Sequence, residues 1–221
     1  MQEGVILAID TATAAISLAL IRGGEILAES TWQGPGHHTT QVPPAIHALM
    51  QQVGLPISDL IAIAVALGPG SYTGLRIGMS LAKGIAMTRT PPLPLIGVPT
   101  LDIVAAAQPH QADQLIAITQ AGRGRVNAGL YRWDTGHWQA EGESFIATWA
   151  ELVERIDAPT QVAGEVNAEG RAALATFADR VILATPAQSL RRAGYLAEIA
   201  THRFEAGQVD DPSTLVPTYS H

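Results

Sequence analysis

Two continuous apolar runs constrain the fold of this chain more strongly than any other feature of its sequence. Val5-Ile6-Leu7-Ala8-Ile9 and residues 61–67 contain no polar side chain. Strands with one exposed face alternate polar and apolar residues, whereas strands buried on both faces do not. The runs therefore predict buried strands of an α/β sheet whose faces are covered by helices.

The order of predicted elements occurs twice along the chain. For the first part we expect strands over 5–9, 15–21, 25–32, 61–67 and 93–98, and helices around 42–53, 73–88 and 99–108. For the second part we expect strands over 114–119, 126–133, 138–146, 161–163 and 181–183, and helices over 148–156, 168–178 and 187–207. Both parts run three strands, helix, strand, helix, strand, helix, which predicts two similar α/β lobes with mixed sheets. We place the lobes at residues 1–105 and 106–221, and leave open whether the last helix and the irregular tail return to the first lobe.

Two local features shape the first lobe. Gly23-Gly24 predicts a tight hairpin turn between the second and third strands, because glycine tolerates positive φ. Pro43-Pro44 is expected in the first turn of the first helix, where a missing N–H costs little.

The charge balance is acidic, with 13 basic against 20 acidic residues, a net charge of −7 and a single lysine, Lys83. Because nucleic-acid binding needs a basic face, direct binding of nucleic acid is disfavoured. Arg123, Arg125 and Arg132 are expected to be solvated or ion-paired. A hydrophobic content of 47% excludes a disordered chain. The absence of cysteine excludes disulfides, thiolate metal sites and cysteine nucleophiles.

The N-terminus and the apolar runs carry no targeting or membrane signal. The chain begins Met1-Gln2-Glu3-Gly4, with no basic residue before the first apolar run, so we expect no signal peptide. Runs such as Leu60 to Leu67 are far shorter than the ~20 residues that cross a bilayer. We expect a soluble, cytoplasmic protein.

The segment Gly68-Pro69-Gly70-Ser71-Tyr72-Thr73-Gly74 leaves a predicted buried strand and opens a helix. Ligand sites of α/β sheets lie at this edge, and free backbone N–H groups there can bind a phosphate. The spacing fits neither a Walker A loop nor a G-x-G-x-x-G motif. A tight turn in which Ser71 or Thr73 caps the helix explains the segment equally well. The local sequence leaves both interpretations open.

The helix after this segment carries a stripe of small residues four apart: Gly74, Gly78, Ala82 and Ala86. These positions share one face of a helix. Glycine inside a helix costs about 1 kcal/mol relative to alanine, so the stripe indicates that another backbone comes close. That backbone belongs either to the protein's own sheet or to a second subunit.

Asp10-Thr11-Ala12-Thr13 follows the first strand. A carboxylate followed by hydroxyl groups could hold a metal–phosphate group, but alanine stands where phosphate loops use glycine. We therefore expect an Asx-type turn in which Asp10 accepts a hydrogen bond from the backbone.

The histidines do not form a metal-binding pattern. His37 and His38 are adjacent, and no histidine lies four residues from another. We expect His38 to be a polar or capping residue at the start of the first helix. A G-x-S-x-G nucleophile elbow is also absent.

Several segments of the first lobe match one known family. They are residues 6–11, His38 with its helix, residues 59–67 leading into residues 68–78, and Ala82-Lys83-Gly84-Ile85-Ala86. Together they resemble the TsaB (YeaZ) family of glycoprotease-like proteins, which serve the threonylcarbamoyladenosine modification of tRNA. The specific motifs cover residues 5–105, and beyond them the match is mostly architectural.

The resemblance implies an actin-like, sugar-kinase-like ATPase fold of two ribonuclease-H-like lobes. It also implies a non-catalytic subunit, without a metal or cofactor of its own, that dimerises with a TsaD-like transferase and activates it. That transferase modifies adenosine 37 in tRNAs reading codons that begin with A. A TsaE-like ATPase joins the two, the chain alone forms a homodimer, and tRNA is contacted only indirectly.

The resemblance assigns residues to two sites. The partner interface comprises His38, Ile46, Met50, Gly74, Arg76, Gly78, Ala82 and Ala86. A vestigial nucleotide pocket comprises Asp10, Thr11, Gly68, Gly70, Ser71 and Thr73.

The second lobe departs from the family pattern at two places. Residues 120–127 lack the acidic positions usual for the family, and Gly164-Glu165-Val166 lacks the paired glycines of a working nucleotide clamp. Both departures favour a non-catalytic subunit. The alternative is an enzyme of the same superfamily, an ATP-dependent transferase or kinase or a metallopeptidase-like protein, and it rests on Asp10 and the glycine-rich segment.

Overall fold

The computed structural model describes residues 4–219, which divide into two units. Unit 1 contains the chain up to Thr100 together with Arg192–Thr218, and unit 2 contains Leu101–Arg191. The last helix and most of the tail thus belong with the first strands of the chain. Among residues 4–219, no helix has the length and apolar character that a membrane crossing requires.

The elements up to the end of the first sheet are β1 (Val5–Asp10), β2 (Ala15–Arg22), β3 (Glu25–Gln33), α1 (His38–Gln52), β4 (Leu60–Gly68), α2 (Tyr72–Ala86) and β5 (Leu95–Pro99), with a 3-10 turn at Ile57–Asp59. The remaining elements are α3 (Thr100–Ala106), β6 (Gln114–Gly122), β7 (Arg125–Asp134), β8 (His137–Ala140), β9 (Phe145–Thr148), α4 (Trp149–Val153), β10 (Thr160–Gly164), α5 (Ala168–Ala175), β11 (Val181–Leu183), α6 (Pro186–Ser189) and α7 (Ala193–Glu205).

The sheet of unit 1 has the strand order β3-β2-β1-β4-β5. The first three strands pair antiparallel, and β4 and β5 extend the sheet in parallel. The two apolar runs are β1 and β4, which are central neighbours and buried as the sequence predicts. The side chains of Leu7 and Leu18 join the core under α1 and α2, and α7 packs on β1, β2 and β5.

The sheet of unit 2 repeats this arrangement. Its order is β11-β10-β6-β7-β8, with β6, β7 and β8 antiparallel and β10 and β11 parallel to β6. The predicted duplication of an α/β lobe is therefore confirmed. The single strand predicted at 138–146 is wrong, because residues 141–144 separate β8 from β9, with Gly142 at a φ of +80°. β9 pairs instead with β7.

Side chains of the first sheet hold the N-terminus of α7. Ser17 Oγ accepts a hydrogen bond from the Ala193 N–H (2.7 Å), and Glu29 Oε1 accepts one from the Gly194 N–H (2.8 Å). Arg192 Nε donates to the other oxygen of Glu29 (2.9 Å), and this hydrogen bond raises the pKa of Arg192. The helix predicted over 187–207 is therefore two helices, because Leu190 and Arg192 are extended and allow α7 to start on the sheet.

The first helix begins earlier than the prolines suggest. It starts at His38, so Pro43 and Pro44 lie inside α1 and not in its first turn as predicted. Each proline leaves the carbonyl four residues before it without a helical donor. These carbonyls belong to Thr39 and Thr40, which are exposed and can be hydrated.

A buried tyrosine links α3 to the sheet of unit 2. Tyr131, on β7, is 4% exposed, and its hydroxyl donates to Asp102 Oδ1 (2.7 Å). Burial, followed by the charge and hydrogen bond of Asp102, raises the pKa of Tyr131 well above its ordinary value of 10. The folded protein therefore keeps the phenol proton in alkaline solution.

We expect Tyr131→Phe to lower the free energy of unfolding by about 1–3 kcal/mol at pH 7, because the hydrogen bond from this hydroxyl to the Asp102 carboxylate is lost. Above pH 10 the unfolded wild type releases this proton while the folded form retains it. The wild type therefore loses about 1.4 kcal/mol per pH unit from this group, and the variant does not. Urea unfolding between pH 7 and pH 11 measures both effects, and identical pH slopes would contradict the assignment.

Candidate functional site

The turn after β1 has the geometry of an Asx turn. Asp10 Oδ1 accepts a hydrogen bond from the Ala12 N–H (3.0 Å), which confirms the predicted turn. Asp10 is fully buried, and Thr11 is 1% exposed. Thr11 Oγ1 donates to the carbonyl oxygen of Gly74 (2.8 Å) and so ties the turn to the first turn of α2.

The glycine-rich segment is a capped strand-to-helix turn. Ser71 is the N-cap of α2, and its Oγ accepts a hydrogen bond from the Gly74 N–H (3.2 Å). The Ser71 N–H donates to the carbonyl oxygen of Ala12 (2.6 Å). A Cβ on Gly70 would lie 2.2 Å from that same oxygen. The turn after β1 therefore packs tightly against Gly70 and already bonds the Ser71 N–H.

The tail covers the beginning of the same segment. Gly68 has a φ of +115°, and a Cβ there would lie 2.2 Å from the carbonyl oxygen of Thr218. The Thr218 N–H donates to the carbonyl oxygen of Leu67 (2.8 Å), and the Gly68 N–H donates to Thr100 Oγ1 (3.0 Å). Of the predicted pocket residues, the structure brings Asp10, Thr11, Gly68, Gly70 and Ser71 to one edge of the sheet. Thr73 lies apart from them, in a furrow between α1 and α2.

The small-residue stripe of α2 faces the protein's own sheet. A Cβ on Gly74 would lie 2.2 Å from the carbonyl oxygen of Thr11, and one on Gly78 would lie 2.3 Å from Thr11 Oγ1. Ala82 and Ala86 are fully buried in the core of unit 1. The structure therefore corrects the expectation that this stripe meets a second subunit, because the backbone that comes close is the turn after β1.

The other predicted interface residues divide into buried and exposed groups. His38 is 7% exposed, and its Nε2 bonds the carbonyl oxygen of Thr13 (2.8 Å), so it links α1 to the turn after β1 and does not cap α1. Ile46 and Met50 lie mostly in the core but also line the space between α1 and α2. Arg76 is exposed on α2. A role for Ile46, Met50 and Arg76 in a partner interface stays a prediction.

An open furrow runs between α1 and α2, and we call it the α1–α2 furrow. Its two segments, of about 410 and 540 Å³, share Pro43 and Leu81. The first is lined by Thr39, Tyr72, Thr73, Arg76, Ile77 and Ser80, and the second by residues that include Ile46, His47, Met50, Leu55, Ile57 and Ile85. Tyr72 and Ile57 are 57% and 50% exposed. Exposed apolar side chains in one groove are typical of an interaction surface.

The sequence prediction missed a second stripe on α2. Ile77, Leu81 and Ile85 are also spaced by four residues, and each is partly exposed along the furrow. A helix with apolar residues on two faces buries one face in its own core and leaves the other for a different contact. The four-residue spacing of these larger residues was the signal that could have identified the exposed face.

The corresponding edge of unit 2 also holds side chains in place of a ligand. A Cβ on Gly164 would lie 2.1 Å from the carbonyl oxygen of Ile118. Glu165 Oε2 accepts a hydrogen bond from the Gln120 N–H (2.9 Å), and Glu165 Oε1 lies 3.8 Å from Arg191 Nη1. A carboxylate at this position disfavours phosphate. The divergent residues 120–127 form the turn and flanking residues of the β6–β7 hairpin.

Within the part of the chain that the structure describes, no three His, Asp or Glu side chains are grouped as metal ligands would be. His37 and His38 fall at the start of α1, where His38 bonds a backbone carbonyl.

The two units define the class of protein. Each joins three antiparallel strands to two parallel ones, which is the architecture of actin-like ATPases and sugar kinases. The activator of the 2-hydroxyisocaproyl-CoA dehydratase from Clostridium difficile, solved with bound ADPNP, shares this fold. Its TM-score is 0.51 at 14% identity, over 93% of this chain and 97% of that chain.

Sequence comparison identifies the family within this class. The family model described as "TsaD: tRNA N6-adenosine threonylcarbamoyltransferase" matches residues 26–200. The tRNA threonylcarbamoyladenosine biosynthesis protein TsaB of Bacillus subtilis is 31% identical, over 97% of this chain and 93% of that protein. The structure of YeaZ from Pseudomonas aeruginosa has a TM-score of 0.78 at 24% identity, covering 98% of this chain and 99% of that one. The chain belongs to this family and, within it, to the TsaB proteins.

We expect Gly74→Ala to lower the free energy of unfolding by about 1–3 kcal/mol, because the new methyl group overlaps the backbone of Thr11. Gly84→Ala, in the same helix, is the matched control: no atom lies within 4 Å of a Cβ there. The control should gain about 0.5–1 kcal/mol from helix propensity. Thermal unfolding of both variants checks this, and a gain for Gly74→Ala would show that the contact with Thr11 is not tight.

Proposed function

We propose that this chain is a non-catalytic subunit that binds and activates a TsaD-like transferase, which threonylcarbamoylates adenosine 37 of tRNAs reading codons that begin with A. Membership of the TsaB proteins supports the coarser statement, a role in tRNA threonylcarbamoyladenosine biosynthesis. The α1–α2 furrow is the single observation that carries the finer proposal.

The furrow supports a protein partner because several large apolar side chains that line it are exposed or partly exposed. Ile77, Leu81 and Ile85 line it from α2, and Ile57 lines it from the 3-10 turn before β4. Covering such side chains removes apolar surface from water, which drives most protein association. The groove is open along the length of both helices, and this shape suits a helix or a helix pair better than a small molecule.

The packing at the edge of the sheet formed by the turn after β1 and residues 68–71, which we call the nucleotide edge, supports a non-catalytic role. The Ser71 N–H and the Gly74 N–H already have acceptors within the chain, and Thr218 covers Gly68. Asp10 is buried and accepts a hydrogen bond from its own turn. In unit 2, the Glu165 carboxylate accepts the Gln120 N–H at the corresponding edge of the sheet, and its negative charge disfavours a phosphate there. A nucleotide would have to displace each of these contacts.

The proposal includes three further points that rest on the resemblance of the sequence. A TsaE-like ATPase joins the assembly, the chain alone pairs with a second copy through the α1–α2 furrow, and the protein works in the cytoplasm. The net charge of −7 supports an indirect relation to tRNA, in which the partner contacts the RNA.

We expect Ile77→Asp to weaken binding of the TsaD-like transferase of the same organism by about tenfold or more, because the carboxylate must be desolvated in an apolar contact. Because Ile77 is partly exposed, the variant should stay folded, with a modestly lower thermal unfolding midpoint from lost apolar burial and lower helix propensity. Val216→Asp is the matched control, since Val216 is 65% exposed and lies outside the furrow. Titration calorimetry measures both affinities, and equal affinities for the two variants would contradict the proposed interface.

We expect the isolated chain to show no heat of binding with Mg-ATP in a calorimetric titration, because its own turn and tail fill the nucleotide edge. Asp10→Ala should lower the thermal unfolding midpoint through loss of the Asx turn, with no change in the titration. Tight binding that disappears in Asp10→Ala would instead establish the enzyme interpretation.

A further inference from the structure

The two helices of the α1–α2 furrow differ in charge from the rest of the chain. The sequence has 20 acidic residues against 13 basic ones, yet neither α1 nor α2 contains an Asp or Glu. Among the described residues that line the furrow, Arg76 is the one Arg, Lys, Asp or Glu. An acidic protein therefore presents a furrow that is apolar and carries a single cation.

The guanidinium of Arg76 is held at the surface by Tyr72. It lies 5.1 Å from the centroid of the Tyr72 ring and donates a hydrogen bond to the Tyr72 hydroxyl. Tyr72 is itself 57% exposed. Within residues 4–219, no carboxylate lies within 4.0 Å of Arg76. The side chain is therefore positioned in advance, with its charge available to a partner.

The second cation of α2 has a different environment. Lys83 does not line the furrow. The pKa of Asp211, in the tail, is lowered by hydrogen bonds from Ser213 and, to a smaller extent, by the charge of Lys83. Lys83 therefore has a negative charge nearby in its own chain, which makes it a natural control for Arg76.

The charge of Arg76 distinguishes between two occupants of the furrow. A two-fold pairing of two copies uses the same surface on each, so both Arg76 side chains enter one interface. Neither furrow offers a carboxylate, and burying unpaired charges is costly. A partner helix that carries a carboxylate among its apolar residues would pair with Arg76 by a charge-assisted hydrogen bond.

We infer that Arg76 sets the partner preference of the α1–α2 furrow, favouring a transferase subunit that supplies a carboxylate over a second copy of this chain. The inference rests on the proposed function, because it takes the TsaD-like transferase as the occupant. It adds that apolar burial supplies affinity for either occupant, whereas the held guanidinium supplies the discrimination between them.

The test compares the wild type, Arg76→Gln and Lys83→Gln in two assays. Calorimetry with the TsaD-like transferase of the same organism gives the hetero-complex affinity, and sedimentation equilibrium gives the homodimer affinity. For Arg76→Gln we expect the hetero-complex Kd to rise about tenfold and the homodimer Kd to fall severalfold. Lys83→Gln should leave both constants within about twofold of the wild type.

Salt gives a second and independent readout. Raising NaCl from 50 to 500 mM should weaken the wild-type hetero-complex and strengthen the wild-type homodimer, because screening acts on an attraction in one and a repulsion in the other. Arg76→Gln should reduce both dependences. Circular dichroism spectra that match the wild type would establish that the variant is folded.

The outcomes separate this inference from the proposed function. If the transferase binds the wild type and Arg76→Gln equally well, or if the variant homodimer does not tighten, the inference is wrong while the proposed function stands. A wild-type chain that does not bind the transferase at all would overturn both.

Discussion

The contact between Thr11 and the glycines of α2 is the interaction on which the rest of unit 1 depends. Gly74 and Gly78 let the helix approach the turn after β1 until no side chain fits between them. The Thr11 hydroxyl fixes the helix in rotation through its bond to the Gly74 carbonyl. Once α2 is fixed in this way, its small residues face the sheet, and Ile77, Leu81 and Ile85 must lie on the side next to α1.

The same close approach shapes both the start of α2 and the α1–α2 furrow. A phosphate site at the start of α2 needs free N–H groups and space, whereas the turn after β1 accepts the Ser71 N–H and packs against Gly70 and Gly74. The lobe thus shares a fold with ATPases, while its own backbone packs closely at the edge where α/β sheets commonly place ligands. What remains open is the far side of α2, and there the side chains are suited to another protein.

The sequence predicts the architecture better than the site. Apolar runs identify β1 and β4 because a strand buried on both faces has apolar residues at successive positions. The repeated order of elements indicates two lobes. The small residues from Gly74 to Ala86 predict that another backbone comes close to α2. They do not indicate whether it belongs to the protein's own sheet or to a second subunit, since small residues suit both contacts equally. The break between α6 and α7 at residues 190–192 cannot be predicted from the neighbouring sequence. It depends on hydrogen bonds from the start of α7 to Ser17 and Glu29, which are far away in sequence.

The return of α7 to unit 1 has a consequence for how the chain is made. Apart from Tyr219, the described part of unit 2 is the continuous segment Leu101–Arg191, whereas unit 1 is interrupted by that segment and needs Arg192–Thr218 to be complete. During synthesis from the N-terminus, the sheet of unit 1 emerges first but lacks the helix that covers β1 and β2. Unit 2 can finish folding while that sheet still has an uncovered apolar face. The nascent chain is therefore most dependent on protection from aggregation in the interval between the emergence of β5 and that of α7.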